Sequence, residues 1–192
     1  MVSFLHANLH QGCDIFQPHN GMQCTAIALI ALLTFMHHLP DLSNFTPNDL
    51  DQTLMEGTAL YAFIRSQGRG DPATGYLSHR DLPSRLGDWD NRFRDVQYFF
   101  DRFYGPVDSQ NVLNYEAGQL YFQDAFSDSL HISSFLLMTF SDNAIAVFHN
   151  SMHDVVYVFD SHQRNSIGLP DNVHGNAVLL QFESTDEFLA TF

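Results

Sequence analysis

The chain has 192 residues, is 45% hydrophobic with 18 Phe, and carries a formal net charge of -14. This length and apolar content describe one domain with a sizeable core, spanning residues 1–192, and exclude a disordered or collagen-like chain. The acidity excludes a nucleic-acid backbone as partner, which needs clustered cations, and argues for a basic partner over an anionic membrane surface.

Charge and cysteine usage narrow the setting. Seven of the eight Arg fall between Arg65 and Arg102, interleaved with Asp71, Asp81, Asp88, Asp90, Asp95 and Asp101, so no basic patch forms there. There is no lysine. Compositional bias is one reading; selection where lysines are targets of modification is the other. Cys13 and Cys24 make no disulfide framework, which fits a reducing compartment. The start, MVSFLHANLH, has no basic and then apolar leader pattern. The apolar run from Thr25 to Met36 has 12 residues, where a bilayer span needs about 20.

In chain order, residues 1–20 read as irregular and polar. Cys24 to about His38 reads as a helix stopped by Pro40; it is apolar nearly all round and so should cross the core. A second helix starts at TPND, with Thr46 as cap, Pro47 in the first turn and Asp49 closing a capping box. Leu50, Leu54, Leu60 and Tyr61 form its apolar side, and Gly57 is expected to break it in two. Residues 68–92 read as a long loop with a short helical turn. Its GRGD (68–71), like the sequon Asn44-Phe45-Thr46, reads as plain surface chain. FRDVQYFF (93–100) has strand character and LYFQDAFSDSLH (120–131) reads as a helix.

The C-terminal third is β-rich: 135–141, 143–150, 154–162 and 176–184, separated by short turns that imply antiparallel pairing. STDE (184–187) caps a short last helix. Helices first and sheet last define an α+β domain.

A cysteine nucleophile needs a thiolate, a base and donors for an oxyanion. Cys24 sits at a helix start, where the helix dipole lowers a thiol pKa, and Gly21 lets the chain turn just before it. Alone, a cysteine beside an apolar helix is more often a small core residue. Among 11 histidines, His162 differs, because it ends a strand two residues after Asp160. Residues i and i+2 of a strand share a side, so Asp160 can accept from the imidazole while His162 faces the thiol. A surface Asp-His pair is the plainer reading. Gln11, Gln17 and Gln23 lie upstream as possible oxyanion donors. Gln11 has the reach of the donor in papain-like enzymes, while Gln23, adjacent to Cys24, should point away. His149 and His153 have zinc spacing only on a helix, and they fall in a strand–turn–strand.

Gln11, 13 residues before Cys24, GMQC opening an apolar helix, TPNDLDQTLMEGTALY (46–61) and YVFDSHQRNSIGLP…GNAVLLQF (157–182) together resemble the deubiquitinase domain of herpesvirus large tegument proteins and similar viral-tegument-like deubiquitinases. The resemblance implies a papain-like cysteine protease fold, with N-terminal helices packed on a mostly antiparallel sheet. It also implies an isopeptidase cleaving after the C-terminal Gly of ubiquitin or a ubiquitin-like modifier. In that family's scheme Cys24 is the nucleophile, His162 the base, Asp160 its orienting partner and Gln11 the oxyanion donor. The scheme needs no cofactor and no metal. Ubiquitin and ubiquitinated proteins are the implied partners of a monomer in the cytoplasm or nucleus of a eukaryotic host, in a virion, or delivered as a secreted effector. The resemblance makes the missing lysines and the acidity coherent. It also implies that the chain corresponds to the N-terminal part of a larger protein. Two other classes remain in view: a ubiquitin-binding module without catalysis, and an acyltransferase or transglutaminase-like enzyme with the same Cys-His-Asp layout.

Overall fold

The computed structural model describes residues 3–38, 42, 44–96, 122–140, 143–165 and 168–191. Strand β1 (Ser3–His6) is followed by helices α1 (Cys24–His38), α2 (Pro47–Ser66) and α3 (Phe122–Ile132). Strands β2 (Phe135–Phe140), β3 (Asn143–Asn150), β4 (Val155–Arg164) and β5 (Asn176–Phe182) and helix α4 (Thr185–Thr191) complete the order. The strands form one five-stranded sheet in the order β1-β5-β4-β3-β2, and every neighbouring pair is antiparallel.

Period-2 alternation explains how the sheet is covered on both faces. Ala144, Ala146 and Phe148 of β3, with Ala177 and Leu179 of β5, face Ile27, Ala28, Ala31 and Phe35 of α1. The intervening Ile145, Val147, Val178 and Leu180 face Phe126 of α3 and Phe188 of α4. Alanines on the α1 side let the helix lie close to the strands. The opposite side of α1, Ala26, Leu29, Ile30 and Leu33, packs on Leu60, Tyr61 and Ile64 of α2 and on Leu77, Leu82, Leu86 and Phe93. α1 therefore lies between the sheet and a second apolar layer, which accounts for its lack of a polar face.

Three expectations are corrected. Residues 1–20 are not wholly irregular, because Ser3–His6 pairs with β5 as an edge strand, in the register Leu5↔Leu179. Gly57 does not break α2, which runs unbroken from Pro47 to Ser66. A Cβ there would lie 2.5 Å from Ile27 Cα, so this glycine is the point of closest approach between α1 and α2. The strand expected at 93–100 is absent in its described part: Phe93 closes a 3-10 turn, Asn91–Phe93, and is buried against α1 and α2. Residues 97–100 lie outside the described residues, as do the Leu39 and Pro40 of the expected helix stop.

The loop after α2 is held closely. It contains 3-10 turns at His79–Asp81 and Leu86–Asp88. Tyr61 Oη donates to the Gly75 carbonyl at 2.7 Å, and Thr25 Oγ1 donates to the Leu77 carbonyl at 2.7 Å. The two bonds flank Tyr76, which is thereby fixed beside the N-terminus of α1. Within GRGD, the Gly70 N–H donates to Asp81 Oδ1 at 3.1 Å.

Candidate active site

The apolar character of α1 places Cys24, its first residue, inside the molecule at 3% exposure. The lead-in turns sharply at Gly21, with φ +82°, a conformation that glycine takes without strain. The Gly21 N–H donates to the Gln11 carbonyl at 3.0 Å, and the Gln11 N–H donates to the Ser161 carbonyl at 2.9 Å. These two bonds hold Gln11 between the entrance to α1 and the end of β4.

On β4, His162 Nδ1–H donates to Asp160 Oδ1 at 2.7 Å, and the His162 backbone N–H donates to the same oxygen at 2.9 Å. With Nδ1 engaged, Nε2 is the ring nitrogen left for the thiol, and the His162 side chain does hydrogen-bond Cys24. Three of the four candidate residues, Cys24, His162 and Asp160, are thus in one chain of contacts. Gln11 joins them: Ser161 Oγ donates to its Oε1 at 3.2 Å, an orientation that leaves Nε2 as the donor on the cleft side.

The electrostatics follow from these contacts. Burial pushes the Cys24 thiol up, but the hydrogen bond and charge of His162, together with the Ala144 N–H, hold it below its ordinary value. Burial pushes the His162 ring down, and Asp160 and Cys24 outweigh it, raising the imidazole to about 9. Burial alone would raise Asp160; hydrogen bonding from His162 and the charges of His162 and Arg164 hold it low. Both shifts favour the thiolate–imidazolium form of the pair.

A shallow cleft of about 360 Å³ opens at His162, lined also by His10, Gln11, Gly12, Gly21, Tyr76, Asn143 and Arg164. Gly21 leaves its side of the cleft open, with nothing within 4 Å of where a Cβ would stand, so an extended backbone can come close there, while the His10 ring covers Gly12.

Several contributors escape the sequence. Gln23 is fully buried: Nε2 donates to the Gln11 carbonyl and to Thr58 Oγ1, both at 3.4 Å, while Oε1 accepts from the Met22 N–H at 2.9 Å. It braces the turn before the thiol and does not face the cleft. The Ala144 N–H that supports the Cys24 sulfur is a backbone group, for which no side-chain pattern exists. Arg164 had a usable signal, being in phase with Asp160 and His162 along the strand. Elsewhere, His149 Nε2 meets Asp154 Oδ1 at 3.0 Å, and Thr185 Oγ1 donates to that oxygen at 2.7 Å, joining the β3–β4 turn to α4. Among the described residues no cluster of three or more His, Cys, Asp or Glu is arranged for a metal ion.

Helices packed on an antiparallel sheet, with a cysteine opening the central helix against a histidine and an aspartate at a strand end, define a papain-like α+β domain. Residues 6–192 match the family described as herpesvirus tegument protein, N-terminal conserved region, and the chain belongs to it. Among solved structures, it is similar to the ubiquitin-specific protease encoded by murine cytomegalovirus tegument protein M48, solved with a ubiquitin-based suicide substrate. That likeness has a TM-score of 0.70 at 18% identity and covers 98% of this chain and 77% of the other. No curated protein sequence matches the chain.

Proposed function

We propose that this domain is a cysteine isopeptidase that removes ubiquitin, or a ubiquitin-like modifier, by cleaving after its C-terminal glycine. The observation that carries the reading is the chain of contacts from Cys24 through His162 to Asp160, in which the imidazole is held by Nδ1 and presented to the thiol. Family membership, the fold shared with a viral ubiquitin-specific protease and the net charge of -14, suited to a basic partner, support the choice of substrate.

The mechanism follows from the site. His162 holds the proton drawn from Cys24, and the thiolate attacks the glycyl carbonyl carbon. The oxygen that gains charge is met by Gln11 Nε2 and by the backbone N–H of Cys24 at the first turn of α1. His162 then protonates the leaving lysine amine, and the C–N bond breaks to leave a thioester on Cys24. His162 next takes a proton from water, whose oxygen attacks the thioester. Collapse releases the glycyl carboxylate, and the original thiolate–imidazolium pair returns. Gly21 gives the extended substrate tail a stretch of wall without a side chain.

Ubiquitin bearing a C-terminal electrophile tests the reading directly. An adduct on Cys24, mapped by peptide mass, is expected in the wild type and absent from Cys24→Ala. That variant should lose cleavage while still binding ubiquitin. Binding without an adduct in the wild type would make the domain a ubiquitin-binding module, and no binding of any kind would overturn the substrate assignment.

A further inference from the structure

The mechanism uses one carboxylate oxygen of Asp160. The other, Oδ2, accepts from Arg164 Nε at 2.7 Å and is also met by Arg164 Nη2. Both side chains are largely buried, Asp160 at 9% and Arg164 at 18% exposure. On a regular strand these residues would stand about 13 Å apart, four steps of roughly 3.3 Å, too far for side chains that stand off the sheet to bond through Arg164 Nε. β4 closes that distance with an irregularity. Asp160 pairs with Val178 and Arg164 with Asn176, so four steps along β4 match two along β5.

This bulge pushes Ser161, His162 and Gln163 out of the ladder and draws Arg164 back toward Asp160. Its backbone is tightly enclosed. Arg164 bridges to Pro170, and the Asp171 N–H donates to the Gln163 carbonyl at 3.1 Å. A Cβ on Gly175 would lie 2.6 Å from Arg164 N, so the opposing chain has no room for a side chain there. The same irregularity thus delivers the imidazole to the cleft and the guanidinium to the carboxylate.

We propose that Arg164 is a positioning residue of this site. It fixes the plane of the Asp160 carboxylate so that Oδ1 meets His162 Nδ1, and it completes a set of four charges that sums to zero when Cys24 is a thiolate. The torsion that turns a carboxylate is broad and nearly two-fold, so one bonded oxygen defines the plane poorly and two define it well. A buried cation beside the pair also favours the anionic sulfur. The proposal rests on the Cys24–His162–Asp160 reading and is independent of ubiquitin as substrate. The charged and titratable groups around the pair are Asp160 and Arg164 on β4, Cys24 on α1, His10 on the lead-in and Tyr76 on the loop after α2; β3 contributes Asn143 and the Ala144 N–H, which do not titrate.

The test compares wild type with Arg164→Ala and Arg164→Gln. Alkylation of Cys24 by iodoacetamide is followed against pH, with Cys13 counted separately by peptide mass. Loss of the cation and loosening of His162 both disfavour the thiolate, so the alkylation midpoint should move to higher pH in each folded variant. In parallel, kcat on a ubiquitin amide substrate should fall on the order of 10- to 100-fold with KM nearly unchanged. Arg164→Gln keeps an N–H donor and most of the packing, and it decides the matter if the alanine variant does not fold. A folded variant that alkylates with the wild-type pH profile overturns the proposal, whatever its melting temperature. If wild type does not cleave ubiquitin amides, the substrate assignment fails, while the alkylation comparison still decides the role of Arg164.

Discussion

Gly57→Ala perturbs the contact that sets the depth of the thiol-bearing helix. The added Cβ would lie 2.5 Å from Ile27 Cα and 2.6 Å from Ile27 Cγ1, against about 3.4 Å for ordinary contact. The nearest atom is backbone, so no rotamer change relieves it, and α1 and α2 must separate by roughly 1 Å at that point. Overpacking of this kind costs about 1–3 kcal/mol, and alanine returns about 1 kcal/mol through its helix propensity. A rigid obstacle places the cost at the upper end, for a net loss of about 1–2 kcal/mol. For a chain of this size that lowers Tm by roughly 2–8 °C. Urea and thermal unfolding of the variant measure the loss. Cys24 is one helical turn before Ile27, so the alkylation rate of Cys24 should fall as well. A variant as stable as wild type, or more stable, would refute the claim that this glycine fixes the spacing of the helices.

Other expectations concern the site and its support. Between pH about 6.5 and 9 the unfolded chain carries one proton on Cys24, and the folded chain carries one on His162 wherever Cys24 is ionised. The proton counts match, so the pair adds no slope to stability across the part of that window where Cys24 is ionised. In Cys24→Ala the raised imidazole stands alone. Its stabilisation is full below about pH 6.5 and is lost as pH rises toward its folded value, so Tm should decline with pH in that variant and stay flatter in wild type. Turnover in wild type should fall above about pH 9, where His162 has no proton for the leaving amine; a kcat/KM profile without that limb would remove His162 as the acid. Gln11→Ala should lower kcat roughly 100- to 1,000-fold, as loss of an oxyanion donor does, with the alkylation rate of Cys24 little changed. Tyr61→Phe removes the donor to the buried Gly75 carbonyl and should cost about 1–3 kcal/mol, with amide exchange rising first in residues 70–77.

The sequence exposes what depends on local pattern. α1 is legible because its residues are apolar on every side, which only a central helix tolerates. The residues nominated for the site are legible because Asp160 and His162 share a strand side and Cys24 opens a helix, and the fold brings all three together with Gln11. What sequence reasoning misses is set by distant partners. Ser3–His6 is too short for alternation to show, and β5 makes it a strand. Gly57 looks like a breaker because propensity does not reveal that another helix lies against it. Phe93 belongs to an apolar run that imitates a strand, but it fills the layer beyond α1. The place of Gln23 depends on Thr58 and on the Gln11 carbonyl, neither of which its neighbours in sequence can disclose.

The backbone bond from the Gln11 N–H to the Ser161 carbonyl joins positions 150 residues apart. Closing a loop that long costs about 4–5 kcal/mol of chain entropy from its length alone, recovered only when α1 and the sheet are packed around it. During synthesis the thiol leaves the ribosome long before its histidine, and β4, which pairs with the earlier β3, gains its second neighbour only when β5 forms. Until His162 arrives, Cys24 has neither imidazole nor carboxylate and reacts as an ordinary thiol. For the proposed chemistry the clasp would act as a timer, since that chemistry needs the two far segments to meet.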